Sequence, residues 1–558
     1  MADGRNRPNG INGYQSYKRL QWPFIAHYCW MCMNNTDTLI AKIQQTANIQ
    51  EAEKLLLDAL QAEPDNVSVL DYLSYIHLKQ ADLSKAKDYL DKALALEPSS
   101  PILHNHLGQI YRWRGEIDLA EQAFETALSF DADYVDAHHS LGLLHYSKSD
   151  YAKAEASFNT ALKLKTDHVL ALYNLALALK AQNKIDEAVA SLMVVLSVNQ
   201  SHLHAHLQLG KWLVEKELHE DADKHFRYIE YIKPDDATLL SSIAVFLLQQ
   251  ERYIQAKYYC QQLLKLQPKN AEILYDLGVI EAQLGEFSSA INYYQSAIDV
   301  APNNFAALNN IAVLYLKQNN VETAKYYFEK ALEQKPNDES IQFLLDALNG
   351  KQDLLEAPAQ YIQELFDDYA ERFEKHLCDE LNYSAPRLLK QYVEPFVSDN
   401  ALVVVDLGCG TGLCGDYFKP WASKLIGVDL SSKMIEQAEK KNSYDQLIVL
   451  DNLDYLSSQK EVADLIVAAD VFVYQGDLQP IMLACYRALR SGGLVAFSTE
   501  ICAAGDMLLQ PTGRFCHSKQ YVGRVARKAG FEIRVAEENI ARIQQERPFP
   551  ANFFVLQK

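Results

Sequence analysis

Three carboxylates in the last third of the chain share one local setting: Asp406 in "VVVDLGCGTGLCG" (403 to 415), Asp429 in "GVDLS" and Asp451 in "VLDNL". Each closes a short aliphatic run, so each is expected at the carboxyl end of a strand. Gly408, Gly410 and Gly412 follow the first acid directly, and glycine lets a backbone turn sharply and approach a ligand closely. The pattern Gly410-x-Gly412-x-x-Gly415 also fits the bare G-x-G-x-x-G of dinucleotide sites. Asp406, two residues before the first glycine, discriminates between the two ligands. A carboxylate there repels a pyrophosphate and attracts the cationic amino group of an amino-acid-like ligand. Asp429 can accept hydrogen bonds from both hydroxyls of a ribose, and Asp451 can take up an adenine amino group.

Further on, Asp470 follows a fourth apolar run, Glu500 a fifth, and His517 is expected in the loop beyond. These are the titratable groups placed to remove a proton from an acceptor, and each has an alternative role as a cap or supporting partner. Cys409 and Cys414 read as small packing residues rather than nucleophiles.

The elements that must position these groups are legible as alternation. Apolar runs at "ALVVV", "SKLIGV", "QLIVL", "DLIVAA" and "LVAFST" are each followed by a helical stretch or loop, the signature of a parallel sheet covered on both faces. In such doubly wound α/β domains ligands bind beyond the carboxyl ends of the strands, near the switch in strand order. A helix is expected to begin near Leu413. Ahead of the sheet, residues 361 to 393 have amphipathic helical spacing. Tyr369 and Phe373 in that segment are candidates for a lid over the ligand, or equally for a helix packing face.

Before residue 351 a different rule holds. Pro64, Pro98, Pro234, Pro268, Pro302 and Pro336 lie on one 34-residue grid. Counting from Met33, nine repeats end at Asp338, and position twenty is alanine in all of them, from Ala52 to Ala324. Position eight is small in eight of the nine, Ile40 being the exception, and position twenty-four supplies bulk, as in Phe124, Phe158, Phe226, Tyr294 and Phe328. A helix pair whose close approach needs a small residue opposite a large one satisfies this pattern. "ESIQFLLDALNG" (339 to 350) reads as the capping helix such an array requires, and 351 to 360 as a linker.

The repeats are similar to tetratricopeptide repeats. The acids and glycines, together with "ADLIVAADVFVY" and "LRSGGLVAFSTE", resemble the class I S-adenosylmethionine-dependent methyltransferases over residues 361 to 558. The resemblance implies a multidomain chain: an all-α solenoid followed by a Rossmann-like α/β domain. It implies S-adenosyl-L-methionine as cofactor, held by Asp406, Gly408, Cys409, Gly410, Gly412, Asp429, Leu430, Asp451, Asn452 and Asp470, and no metal. The order of repeats, "FDDYAERFEKHL", "DLGCGTG" and "GRFCHSKQYVGRVARKAGF" looks like the bacterial group of predicted methyltransferases that carry tetratricopeptide repeats, whose acceptors are undefined. No Asn/Asp-Pro-Pro-Tyr sequence of the amide and base N-methyltransferases follows the fourth run.

Such an array implies a protein or peptide bound on its concave face, lined in this register by Asn105, His139, Tyr173, Tyr275 and Asn309. The clamp that would hold a C-terminal carboxylate is absent from these positions. Histidines between His104 and His225 read as groove or surface residues rather than metal ligands. A net charge of -20 over 558 residues disfavours nucleic acid, whose phosphates call for clustered Lys and Arg. Nine scattered cysteines point to reduced thiols and a cytoplasmic location, Cys29-x-x-Cys32 lacking the βαβ surroundings of a redox motif. No run of 18 apolar residues suggests a spanning helix. Residues 1 to 32 are expected to be disordered, with translation starting at Met31 or Met33. The function expected is methyl transfer with recruitment of a protein through the repeats. The alternatives are a small-molecule acceptor with the repeats used for assembly, or a scaffold whose methyltransferase-like domain does not turn over.

Overall fold

The computed structural model describes residues 49–558 except 368, 399, 400, 545 and 546. Cys29, Cys32, both candidate start methionines and Ile40 lie outside the described residues. The chain divides into two compact units, one ending at Leu266 and one running from Gln267 to Lys558.

Among the described residues the first unit is all helical: Ile49–Ala62 precedes six helix pairs, of which Val67–Lys79 with Leu83–Leu96 is the first and Ala237–Gln249 with Tyr253–Leu266 the last. Side-chain caps start many of these helices, as where Asn66, Asp82 and Asp236 accept from backbone N–H groups of the first turn. The small and bulky positions meet as their spacing predicts. A Cβ on Gly142 would stand 2.4 Å from Phe158 Cε1, and one on Gly108 would stand 2.4 Å from Phe124 Cε1. The alanines of position twenty, from Ala52 to Ala324, are all fully buried. Between the helices of a pair the chain turns through the left-handed region at Ala81, Gly115, Ser149, Asn183, Glu217 and Glu251, so the 34-residue period extends to backbone conformation.

The second unit begins with the pairs Ala271–Gln283/Phe287–Val300 and Phe305–Lys317/Val321–Gln334, followed by Glu339–Leu348. That last helix has two apolar faces. Ile341 and Leu345 pack on Phe328 and Ala331 of the preceding pair, while Phe343 and Ala347 join a cluster with Tyr361, Tyr474, Leu509 and Phe515. The segment after it is tied down by backbone hydrogen bonds, Ala357 N–H to Tyr474 O at 2.9 Å and Gly476 N–H to Leu355 O at 2.7 Å. Amphipathic spacing over 361 to 393 resolves into Ala359–Asp367, a π-helical turn Lys375–Glu380, and Ala385–Val393.

The α/β part is one nine-stranded sheet in the order β3-β2-β1-β4-β5-β7-β6, with β9 pairing β5 and β8. The strands are β1 Leu402–Leu407, β2 Ala422–Asp429, β3 Gln446–Val449, β4 Ala463–Ala468, β5 Leu489–Ile501, β6 Met507–Leu509, β7 Phe515–His517, β8 Glu532–Gln544 and β9 Arg547–Gln557. The five expected runs form the parallel portion β3-β2-β1-β4-β5. The sheet is not parallel throughout: β9 lies antiparallel to β5 and β8, and β6 antiparallel to β7. Two of the strands missed by periodicity carry charges or prolines, Pro548 and Pro550 among them, that weaken a strand pattern. The helix after the glycines starts at Gly415 and ends at Phe418, shorter and later than its sequence suggests. Apolar cores lie on both faces of the sheet. Among the described residues no helix is long and apolar enough to cross a membrane.

Candidate functional site

The strand order reverses between β1 and β4, and the expected residues gather at the carboxyl ends on either side. Asp406 on β1 is 2 % exposed. Its Oδ2 accepts a 2.6 Å hydrogen bond from the Tyr444 hydroxyl, while Oδ1 is buried with no hydrogen-bond partner. Burial pushes the Asp406 pKa up to about 7, with the Tyr444 bond acting in the opposite direction and Asp429 adding to the rise. Gly408, Gly410 and Gly412 all have positive φ. Each also lies under a neighbour: a Cβ on Gly408 would meet Val471 Cγ2 at 2.6 Å, and one on Gly410 would face the Phe373 ring at 3.6 Å. Cys409 is buried, with its N–H donating to Val428 O.

Asp429, at the end of β2, accepts from Gly410 N–H and Ser431 N–H, both at 2.9 Å. Burial nonetheless raises its pKa. Asn452 Oδ1 accepts from Gly408 N–H at 3.2 Å. Asp451 Oδ1 caps the helix Asn452–Ser457 through Leu453 and Asp454 N–H groups. The three acids therefore stand at or just beyond the ends of adjacent strands, and the glycine turn is held by Asp429 and Asn452.

Sequence reading missed Tyr444. Its ring lies 2.8 Å from a Cβ placed on Gly415 and 3.0 Å from one on Gly412. Gly415 thus belongs to the seat of a tyrosine rather than to a dinucleotide fingerprint. The aromatic spacing of Tyr369 and Phe373 also has a visible outcome. Phe373 stands over Gly410 and edge-on to Phe366 and Tyr369, and Tyr369 bonds to His376. Asp367, in the helix before them, accepts from the Ser431 hydroxyl.

Beyond β4 and β5 lies a buried ionic cluster. Asp470 has φ +59, a costly conformation for a residue with a Cβ. Its N–H donates to Ser498 Oγ at 2.9 Å, and its Oδ2 accepts from Arg542 Nη1 at 2.9 Å. Glu500 Oε1 accepts from Arg514 Nε at 2.7 Å and Arg542 Nη2 at 3.2 Å, and its Oε2 from Gln510 at 2.7 Å. Arg514 Nη2 stands 3.5 Å from Asp470 Oδ2 and has no hydrogen-bond partner, and neither does Asp470 Oδ1. Burial alone would lower the Arg514 pKa, and Tyr474, Asp470 and Glu500 more than reverse that.

His517 lies elsewhere than expected. It is in β7 and not in a loop, fully buried, and its Nε2 lies 3.0 Å from Gly476 O. Burial lowers its pKa to about 4, so the imidazole is neutral. In the repeats, Asn105, His139 and Tyr173 are at least nine-tenths buried, which corrects their expected place on an open groove. His139 and Asn174 join adjacent repeats by a 2.9 Å hydrogen bond, and Tyr173 packs on His202. Tyr275 and Asn309 are half-buried.

A methyltransferase-domain model matches residues 405–497, and tetratricopeptide-repeat models match 72–100, 108–149, 139–197, 235–303 and 275–339. The malonyl-[acyl-carrier protein] O-methyltransferase of Hamiltonella defensa is 30% identical over 96 residues, 17% of this chain and 37% of that protein. The protein of the same name from Salmonella typhimurium is 30% identical over 141 residues, 25% of this chain and 53% of that one. The chain thus spans between about a third and about half of these relatives. Among solved structures, an S-adenosylmethionine dependent methyltransferase from Mesorhizobium loti is 21% identical, covering 30% of this chain and 96% of that one at a TM-score of 0.26.

Proposed function

We propose that this chain, in which tetratricopeptide repeats are fused to a methyltransferase-like domain, methylates an acceptor that its repeats recruit, a protein or a peptide. The observation that carries the reading is the set Asp406, Asp429 and Asp451, at or just beyond the ends of three adjacent strands, with Asp429 bonded to the glycine turn that follows Asp406. S-adenosyl-L-methionine, when bound there, supplies a methyl group on a positively charged sulfur, electrophilic without further activation.

The residues present fit that group. Asp406 Oδ1, buried without a hydrogen-bond partner, suits a cationic amino group, since a buried carboxylate gains most from an opposite charge. Asp429 at the end of β2 and Leu430 just beyond it, with Asn452 holding Gly408, shape the middle of the site, and Asp451 bounds its far end. Phe373 over Gly410 and Val471 over Gly408 exclude water from the turn. Holding reacting atoms in line in this way can contribute about 7–11 kcal/mol to a transfer. A cytoplasmic setting belongs to the same proposal, and the described cysteines, none of them in a disulfide, are compatible with it.

A second reading, a small acceptor with the repeats used for assembly, is favoured by a ubiquinone biosynthesis O-methyltransferase of Coxiella burnetii that is 25% identical over 112 residues. Two measurements separate the possibilities. Titration calorimetry with S-adenosylmethionine is expected to show binding that Asp429→Ala weakens at least tenfold; unchanged affinity removes the cofactor assignment. Methyl-labelled donor added to lysate with the whole chain, or with a chain starting at Glu339, is expected to mark proteins only when the repeats are present. Label in small molecules regardless of the repeats favours the second reading.

A further inference from the structure

From the meeting of the last two repeat pairs with the segment over the donor turn, we infer that the recruited acceptor is a peptide with an acidic side chain seated between Lys317 and Arg372. The inference rests on the reading above, in which the repeats recruit the acceptor.

Gln283 and Lys317 end the helices Ala271–Gln283 and Phe305–Lys317. They are 34 residues apart and so occupy the same position in successive repeats. Arg372 Nη1 donates to Gln283 Oε1 at 2.9 Å. Lys317 Nζ lies 5.4 Å from the centre of the Phe287 ring, and its pKa is lowered by burial first and by the charge of Arg372 second. Two cations are thus neighbours at one edge. Among the described residues no carboxylate, the exposed Glu371 included, bonds to either: Lys317 has a ring and the Arg372 guanidinium a neutral amide. Nearby charges are closed off by contrast. Glu374, two residues from Arg372, pairs with Lys441 at 2.5 Å, and at the corresponding edge of two earlier repeats Lys180 pairs with Glu215.

Like charges held together without a counter-charge favour an anion between them. A carboxylate fits, since a guanidinium offers it paired N–H groups and an ammonium adds a further donor. A chain of net charge -20 repels acidic peptides at long range, so a preference for an acid at one position has to come from a local pair of this kind.

The seat adjoins the donor turn through one residue. Phe373 follows Arg372 and stands over Gly410. Asp367, earlier in the same segment, accepts from the Ser431 hydroxyl, and the Ser431 N–H donates to Asp429. An acid that competes with Gln283 for Arg372 therefore acts next to the ring that covers the turn. Peptide and donor binding are then coupled, equally in both directions.

The test selects a phage library of random dodecapeptides on the whole chain, with and without S-adenosylmethionine. The expected result is enrichment of Asp or Glu at one position. Lys317→Glu combined with Arg372→Glu is expected to turn that preference to Lys or Arg, a reversal that a merely structural pair would not give. A synthetic copy of a selected peptide should change donor affinity by calorimetry about fivefold or more in the unaltered chain and by less than about twofold in Arg372→Gln. Donor binding by each variant also reports that it is folded. No acidic preference, or the same preference in the double variant, overturns the seat; unchanged donor affinity overturns its coupling to the donor turn. No donor binding by the unaltered chain overturns the methyl-transfer reading instead, and the selection without donor still decides the seat.

Discussion

Tyr444 donates its hydroxyl to Asp406 Oδ2 at 2.6 Å, and its ring fills the space that side chains on Gly412 and Gly415 would take. One tyrosine therefore supports both the acid and the turn. Because the bond favours the ionised carboxylate, its loss in Tyr444→Phe raises the Asp406 pKa beyond about 7. A cationic ligand needs the carboxylate, so donor affinity is expected to rise with pH through that value in the unaltered protein. In Tyr444→Phe affinity at pH 7 falls by about three- to tenfold, on the order of one ordinary hydrogen bond, and recovers near pH 9. Calorimetry in buffers of different ionisation heat checks this, because binding at pH 7 should release protons. An affinity flat with pH in both proteins would remove Asp406 as the cation's partner.

Gly415→Ala tests the other half of that relationship. The new methyl group would lie 2.8 Å from the Tyr444 ring, so ring or turn must shift. Overpacking of this kind costs about 1–3 kcal/mol. The expected outcome is a lower melting temperature together with weaker donor binding, read in one thermal-shift titration. Loss of stability with donor affinity intact would mean that Tyr444 is only a core residue.

The placing of Asp406, Asp429 and Asp451 at strand ends beside a glycine turn was open to sequence reading, because local order alone sets their position. The ionic cluster was not. Arg514 reaches Glu500 across 14 residues, and Arg542 reaches Asp470 across 72, so only the hairpin β6–β7 and the antiparallel strand β8 create the group. Without its arginines, Glu500 reads as a base. Similarly, His139 and Tyr173 occupy helix positions that could face a groove, and stacking on the next repeat is what buries them. The repeat core itself was legible down to single positions, as every position-twenty alanine is fully buried.

The left-handed turns of the repeats make a further prediction. Ala81 and Glu251 hold φ of 63° and 55° where the equivalent Gly115 holds 78°. Left-handed backbone costs a residue with a Cβ about 1–2 kcal/mol, partly offset by the greater freedom of glycine when unfolded. Ala81→Gly and Glu251→Gly are each expected to stabilise the first unit by about 0.5–1 kcal/mol, and Gly115→Ala to destabilise it similarly. Denaturant midpoints for the three variants decide the matter, and destabilisation by both glycine substitutions contradicts it.

Buried imidazoles set a pH limit on stability. Burial lowers the pKa of His139 to about 3 and of His225 to about 4, the neighbouring His168 and His206 adding to the effect. A group whose folded pKa is depressed stabilises fully above its free value, 6.5 here, and loses that contribution as pH falls toward the folded value. Asp406 runs in the opposite sense, its neutral form favoured by folding below about 7. The two units should respond differently: the first, which holds His139 and His225, is expected to melt at lower temperature at pH 5 than at pH 7. His139→Gln should flatten that dependence. An unchanged pH profile in the variant would show that His139 is not the titrating group.

Where the methyltransferase part can be cut is the last consequence. Phe343 and Ala347 of the helix Glu339–Leu348 complete an apolar cluster with Tyr361, Tyr474, Leu509 and Phe515, and Tyr361 contacts Gly513 in the β6–β7 hairpin that carries Arg514. A fragment starting at Lys351 would uncover this cluster, and losing one large buried aromatic side chain costs about 3–5 kcal/mol. A fragment starting at Glu339 keeps it, while exposing Ile341 and Leu345, which pack on the preceding repeat. The longer fragment is expected to express in soluble form and to melt at least 5–10 °C above the shorter one, a shift of the size that such a loss produces in a domain of this length. Differential scanning fluorimetry of the two fragments beside the whole chain measures it. Equal melting temperatures would mean that the helix caps the repeats alone and contributes nothing to the domain that follows.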